Sequence, residues 1–520
     1  MARFYLAPLV LSLFQAGHLL GQRLNGSTAV QMHPSLTWLQ CALAGSCSVV
    51  NASITETLGM SWFSNPLGID CWEDHAWNGE ICPNAQACYD NCILHWNDDY
   101  AELYGITTSS DAVTMRFFTQ SSVVNIGNSV LLLDPTSTQA APTNKYQIFF
   151  PLNMELSFDV DVSQLPCGLA SSLSFKEISA DGGISEDPLN KAGAGWGTGN
   201  CDGRCSTDSQ FIHGLVWTTL PNVGNTLGAC CNEFRLWHGN AVSETMVAHP
   251  CSAPGLTTCT AASLGGQCAT PSCDVTGCEF NPFREDAPAG FYGVGPTFAL
   301  DTSRKFTVVT QFITNSNSST GALTSIRRFY IQDGTTIPNP PPGIAGITPT
   351  DEFTDEHCAE QKVAFGEANV FANLGGLATL GSAFQRGMVL EMGIDEDRVD
   401  HMLWLDSTFP PGADPQKPGV RRGLCGTDTG VPADVETNDR GAQVVFSNIK
   451  FGPIGSTNGF EGTGIYASLQ PKCMLTTLQQ RWPNSTWATP VARARRSTAP
   501  WLHTFLQRWL AAINAAKAPR

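Results

Sequence analysis

Nineteen cysteines are spread over 520 residues, eighteen of them between Cys41 and Cys425. They follow an N-terminal stretch, residues 1–21, with one early Arg3, an apolar run from Phe4 to Phe14 and a small residue at Gly21. That pattern is a secretory signal peptide with cleavage expected near Gly21, leaving Gln22 at the mature N-terminus. In an exported chain, cysteines in this number read as a disulfide framework. The alternative is zinc, at Cys201-Asp-Gly-Arg-Cys205 or Cys273–Cys278. Neither is accompanied by histidines or paired Cys-x-x-Cys motifs, so no metal and no cofactor is expected. Sequons at Asn25, Asn51, Asn317 and Asn484 fit glycosylated surface loops. A chain of this kind is constrained to a loop-rich fold whose connections are stapled covalently.

Only 14% of residues are charged and the formal net charge is -17. Such a balance argues against a nucleic-acid partner and suits a neutral, polar or solid substrate. Strand patterning dominates. Met154, Leu156, Phe158, Val160 and Val162 alternate with Glu155, Ser157, Asp159 and Asp161, which predicts one buried and one polar face. Residues 304–312, 327–334, 387–392 and 442–452 read as further strands, punctuated by Gly, Pro and Asn. Helices are expected at 85–92 and 354–365, and the glycine-rich 375–381 reads as a turn. Together these predict an all-β sandwich. The acidic run Asp395–Asp397 lacks the glycine of a calcium loop and reads as a solvated face. After residue 457 the chain turns basic, and Trp501, Leu502, Phe505, Leu506, Trp509, Leu510 and Ile513 fall on one helical face. This tail, 458–520, is read as a docking element or a poorly ordered segment rather than a membrane contact, and Cys473 within it is the odd cysteine.

Several segments resemble glycoside hydrolase family 7, the secreted fungal cellobiohydrolases and endoglucanases. They are SFDVDVSQLPCGL (157–169), ADGGISEDPLNKAGAGWGTGNCDGRC (180–205), CEFNPFR (278–284), MLWLDSTFP (402–410) and VVFSNIKFGPIGST (444–457). The resemblance places a family 7-like domain at 22–457. It implies a concanavalin-like jelly-roll sandwich of two large curved antiparallel sheets, acting as a monomer on cellulose or cello-oligosaccharides. It also implies the pairs Cys41–Cys47, Cys71–Cys92, Cys82–Cys88, Cys167–Cys425, Cys201–Cys231, Cys205–Cys230, Cys251–Cys273, Cys259–Cys268 and Cys278–Cys358.

The chemistry of that family uses two carboxyl groups about 5–5.5 Å apart across one glycosidic bond, with retention of configuration. They stand in a motif Glu-x-Asp-x-x-Glu after a double cysteine, where the Asp orients the nucleophile. Here residues 233–238 read Glu-Phe-Arg-Leu-Trp-His. Glu233 matches the nucleophile, Arg235 replaces the orienting Asp, and His238 replaces the acid/base Glu. On a strand, Glu233 and Arg235 share a face, roughly 6.5–7 Å apart at the backbone, so the guanidinium is expected to pair with the carboxylate. Hydrolysis is therefore expected to be impaired, and the alternative is an inactive glucan-binding protein.

For substrate binding the resemblance implies Trp62, Trp237, Trp404, Asp202, Asp208, His249, Arg284 and Arg422. Other cleft positions depart from it. A stacking tryptophan is replaced by Asp395, tyrosines by Arg398 and Val399, and an Asn and a Tyr by Ala170 and Ser174. Shortened segments at 215–229 and between Cys259 and Cys273 favour an open cleft.

Overall fold

The computed structural model describes residues 23–24 and 32–458, apart from 58–61, 74–75, 96–98, 122–123, 140, 142, 188–189, 208–210, 213–214, 217–225 and 262–266. Asp208, Cys473, the signal segment, the sequons at Asn25 and Asn484, most of the shortened segment 215–229, part of the one between Cys259 and Cys273, and the tail after residue 458 lie outside the described residues. Twelve strands position the site. They are β1 (Ser35–Leu43), β2 (Ser46–Glu56), β3 (Ala112–Arg116), β4 (Asn128–Leu133), β5 (Met154–Asp161), β6 (Leu169–Lys176), β7 (Glu233–Gly239), β8 (Glu244–His249), β9 (Phe306–Thr314), β10 (Leu323–Gln332), β11 (Met388–Glu396) and β12 (Gln443–Pro453).

Two layers form, as the jelly-roll expectation requires. One runs β8–β7–β6–β11–β4, all antiparallel. The other runs β10–β9–β5–β12–β3. They are not separate ladders. In the β1–β2 hairpin, β2 pairs with β4 while β1 meets β12 in parallel at Leu39 and Gln40, so hydrogen bonding passes from one layer into the other.

Alternation explains the packing between them. Leu173 and Phe175 of β6, Phe234 and Leu236 of β7, and Leu390 and Met392 of β11 point into one core shared with Phe306, Val308 and Phe312 of β9. Ring contacts cross the gap, with Phe234 and Phe312 centroids 5.8 Å apart and Trp237 and Phe306 5.5 Å apart. Burying an aromatic or aliphatic side chain of this size stabilises by about 1.5–3 kcal/mol.

The expected polar face of β5 is buried as well. Glu155 accepts hydrogen bonds from Gln311 and from the backbone of Gly455 and Thr457, so the end of the domain folds over that face. All nine implied disulfides form. The helices expected at 85–92 and 354–365 are found at Ala85–Asn91 (α1) and Asp355–Phe365 (α2). The turn expected at 375–381 is instead the start of a helix, Gly376–Arg386 (α3). Leu377, Leu380 and Phe384 recur at helical spacing and bury one face against the core, which outweighs the low helix propensity of glycine.

Candidate active site

Strand β7 carries an irregularity that decides which side chains meet. Against β6, Arg235 lies opposite Ser174 and His238 opposite Ser172; against β8 they lie opposite Val247 and Thr245. Three steps along β7 thus match two steps on each neighbour, a β-bulge. Leu236 and Trp237 both turn into the core, and His238 returns to the face that already holds Glu233 and Arg235. Glu391 (opposite Ser174), Gly393 (opposite Ser172) and Asp395 (opposite Ala170) of β11 belong to the same face. This outer face of the β8–β7–β6–β11 layer is the floor of the candidate groove.

One guanidinium joins the β7 residues. Arg235 donates from Nε to Glu233 Oε1 at 3.0 Å and from Nη1 to His238 Nδ1 at 3.0 Å. The other carboxylate oxygen of Glu233 accepts from the Gly203 N–H at 3.0 Å. Burial alone would raise the Glu233 pKa. The Arg235 charge, backed by Lys176, His249 and the Gly203 N–H, outweighs burial and holds the carboxyl well below the usual range. Arg235 is held ionised by the same pair.

His238 is driven the other way. Burial, then Arg235 and Arg204, push its pKa well below the ordinary 6.5. An arginine can only donate, so the Nδ1 lone pair is taken and the neutral ring carries its proton on Nε2. That Nε2 is buried without a partner. The ring packs edge-on against Trp404, with centroids 5.1 Å apart.

Trp404 is the sequence-derived binding residue that the structure keeps at this face. It is half-buried, its indole N–H donates to Asp397 at 2.7 Å, and the exposed Arg204 guanidinium lies 5.2 Å from its ring centroid. Asp202 folds back onto its own turn, accepting from the Ser206 N–H and hydroxyl. Trp62 begins a short strand whose backbone pairs with His95.

Four of the implied binding residues are not at the surface. Trp237 is fully buried among Phe306 and Tyr292, because the bulge turns it inward. His249 is buried behind Gly203, donating from Nδ1 to the Asp274 carbonyl at 2.7 Å; a side chain at Gly203 would collide with it. Arg284 and Arg422 are buried in an ion cluster, meeting Glu279 at 2.5 and 2.7 Å. Their charges hold up structure rather than line the groove.

Three residues escaped sequence reasoning. Lys176 and Glu391 form a buried ion pair across β6 and β11, and Lys176 is one of the charges that keep Glu233 ionised. Both interrupt otherwise apolar or small strand ends, which is a visible signal, but their pairing needs the register. Arg204 is the third. Asp395, read as a solvated residue, is exposed as expected. Its surroundings lift its carboxyl by desolvation, with Arg235 opposing, and its contact with water screens that lift. A cavity of about 500 Å³ bounded by Ile148, Glu177, Asn190 and Arg386 is lined by none of Glu233, Arg235 or His238.

Comparison with known proteins bears on the scaffold that carries this arrangement. The model of the family described as glycosyl hydrolase family 7 matches residues 25–458. The chain belongs to glycosyl hydrolase family 7. Among solved structures, a family 7 cellobiohydrolase from Daphnia pulex is 37% identical with a TM-score of 0.76, over 83% of this chain and 99% of that one. A cellobiohydrolase from Melanocarpus albomyces, solved in complex with cellotetraose, is 37% identical with a TM-score of 0.75, over 84% and 100%. The Humicola insolens endocellulase EGI is 29% identical with a TM-score of 0.70, over 84% and 100%. The family 7 scaffold is thus present along the whole described domain.

Proposed function

We propose that this family 7 protein is exported, grips β-1,4-glucan chains in its groove, and hydrolyses natural glucan poorly. The observation that carries the reading is the double hydrogen bond of Arg235 to Glu233 and His238. Glycosidic cleavage with retention needs a carboxylate free to attack and a second group able to give a proton to the leaving oxygen. Glu233 is ionised but tied to a cation, which lowers its nucleophilicity. His238, neutral and with its one lone pair occupied, can neither give nor take a proton near neutral pH. The domain ending near residue 457 supplies the binding groove, and the basic tail is read as an accessory docking segment. Export is supported by nine disulfides and by exposed sequons at Asn51 and Asn317.

The test is a single-turnover reaction with dinitrophenyl β-cellobioside, whose leaving group needs no acid, with and without azide. The expected result is no burst, with cello-oligosaccharide binding still measurable by calorimetry. A burst that azide accelerates would mean that Glu233 still attacks and that only acid/base help is lost. Absence of any oligosaccharide binding would refute the glucan reading.

A further inference from the structure

We infer that Arg204 is a movable cover on the Trp404 stacking platform and competes with a glucosyl ring for it. The inference rests on the glucan-binding reading and adds a residue to it. Trp404 is fixed on three sides. Its indole N–H is held by Asp397, its edge meets His238, and it packs on the buried cluster of Ala170, Met402 and Leu405. The surface left to the groove is the one Arg204 overlies, 5.2 Å from guanidinium carbon to ring centroid.

A flat apolar ring face is what a sugar ring needs, and it is also what a guanidinium binds. The two ligands exclude each other on one face.

The mount of Arg204 is rigid while its tip is held by no hydrogen bond. Cys201–Cys231 and Cys205–Cys230 pin both ends of the CDGRC turn, and Asp202 locks the turn internally through Ser206. Among the described residues, the exposed Arg204 guanidinium donates no hydrogen bond and closes no ion pair, although its charge reaches the carboxylates of Asp395 and Asp400. Opening the platform therefore requires only rotation of one side chain, with no backbone movement. An exposed cation–π contact is worth a factor of about 2–5 in a binding constant, so the cover lowers affinity without abolishing it.

Arg204→Ala and Arg204→Lys, compared with the wild-type chain, provide the test. Hydroxyl-radical footprinting read by mass spectrometry reports the exposure of Trp404, and calorimetry reports cellotetraose affinity. In Arg204→Ala, faster oxidation of Trp404 and about 2–5-fold tighter cellotetraose binding are expected. Arg204→Lys should fall between the two, because an ammonium stacks less well. Unchanged oxidation, or binding that is unchanged or weaker in Arg204→Ala, would overturn the inference. Loss of cellotetraose binding in all three proteins, with oxidation still faster in Arg204→Ala, would sink the glucan reading and support the cover alone.

Discussion

Arg235 acts on two residues at once, so its effect cannot be undone at either of them singly. Placing a carboxylate back at 238 leaves Glu233 bridged, and removing the arginine leaves no acid. His238→Glu alone is therefore expected to gain little on cellotetraose. Arg235→Asp with His238→Glu should exceed it by about 10²-fold or more, the usual worth of a working acid/base group. Initial rates of cellobiose release measure both, and equal rates would show that Arg235 is not the block. The identity of these residues was readable from the sequence, as was the Glu233–Arg235 pair, because positions i and i+2 of a strand share a face. The bond to His238 was not, because it depends on the bulge. Nor was the inward turn of Trp237, which comes from the same bulge. Arg284 and Arg422 were expected in the groove from the family resemblance; their burial follows from a common partner, Glu279, that spacing alone does not reveal.

Among the elements, β6 and β11 are joined by the Lys176–Glu391 pair on the groove-floor face. Both side chains are almost wholly buried, so removing one partner leaves a charge with no solvent. Lys176→Met is expected to destabilise by about 3–5 kcal/mol, while Lys176→Met with Glu391→Met should recover most of that loss. Chemical denaturation of the three proteins decides it; a double variant as unstable as the single one would mean that the pair itself, not its breakage, matters. Of these two strands β11 was legible, read as 387–392, whereas β6 was not read as a strand; the disulfides followed from the family resemblance. The helix Gly376–Arg386 was not legible, because three glycines in seven residues masked the spacing of Leu377, Leu380 and Phe384. Tertiary burial decided that segment, and local propensity did not.

At the scale of the whole molecule, buried titratable groups pull stability in opposite directions as pH falls. Burial lowers His33 and His357 to about 4, against about 6.5 in the unfolded chain. Below pH 6.5 the unfolded chain takes up these protons first, so each histidine costs about 1.4 kcal/mol of stability per pH unit until its folded pKa is reached. Asp406 opposes them. Burial, only partly offset by the N–H groups of Gly168 and Asn240, raises it to about 6. The folded chain therefore protonates first at Asp406, and stability is gained between pH 6 and about 4. Asp406→Asn removes that gain, so its melting temperature should drop more steeply than the wild-type value between pH 6.5 and 4.5. Parallel melting curves for the two proteins would refute this balance.

The bulge in β7 is built from backbone register and from two core side chains, Leu236 and Trp237, neither of which takes part in the chemistry. The mould and what is cast in it are consequently under separate selection. The three outward residues, Glu233, Arg235 and His238, can therefore be exchanged while the core packing that shapes the strand stays as it is. Side-chain replacement alone, with no change to the shape of the strand, is then enough to alter what this face can do.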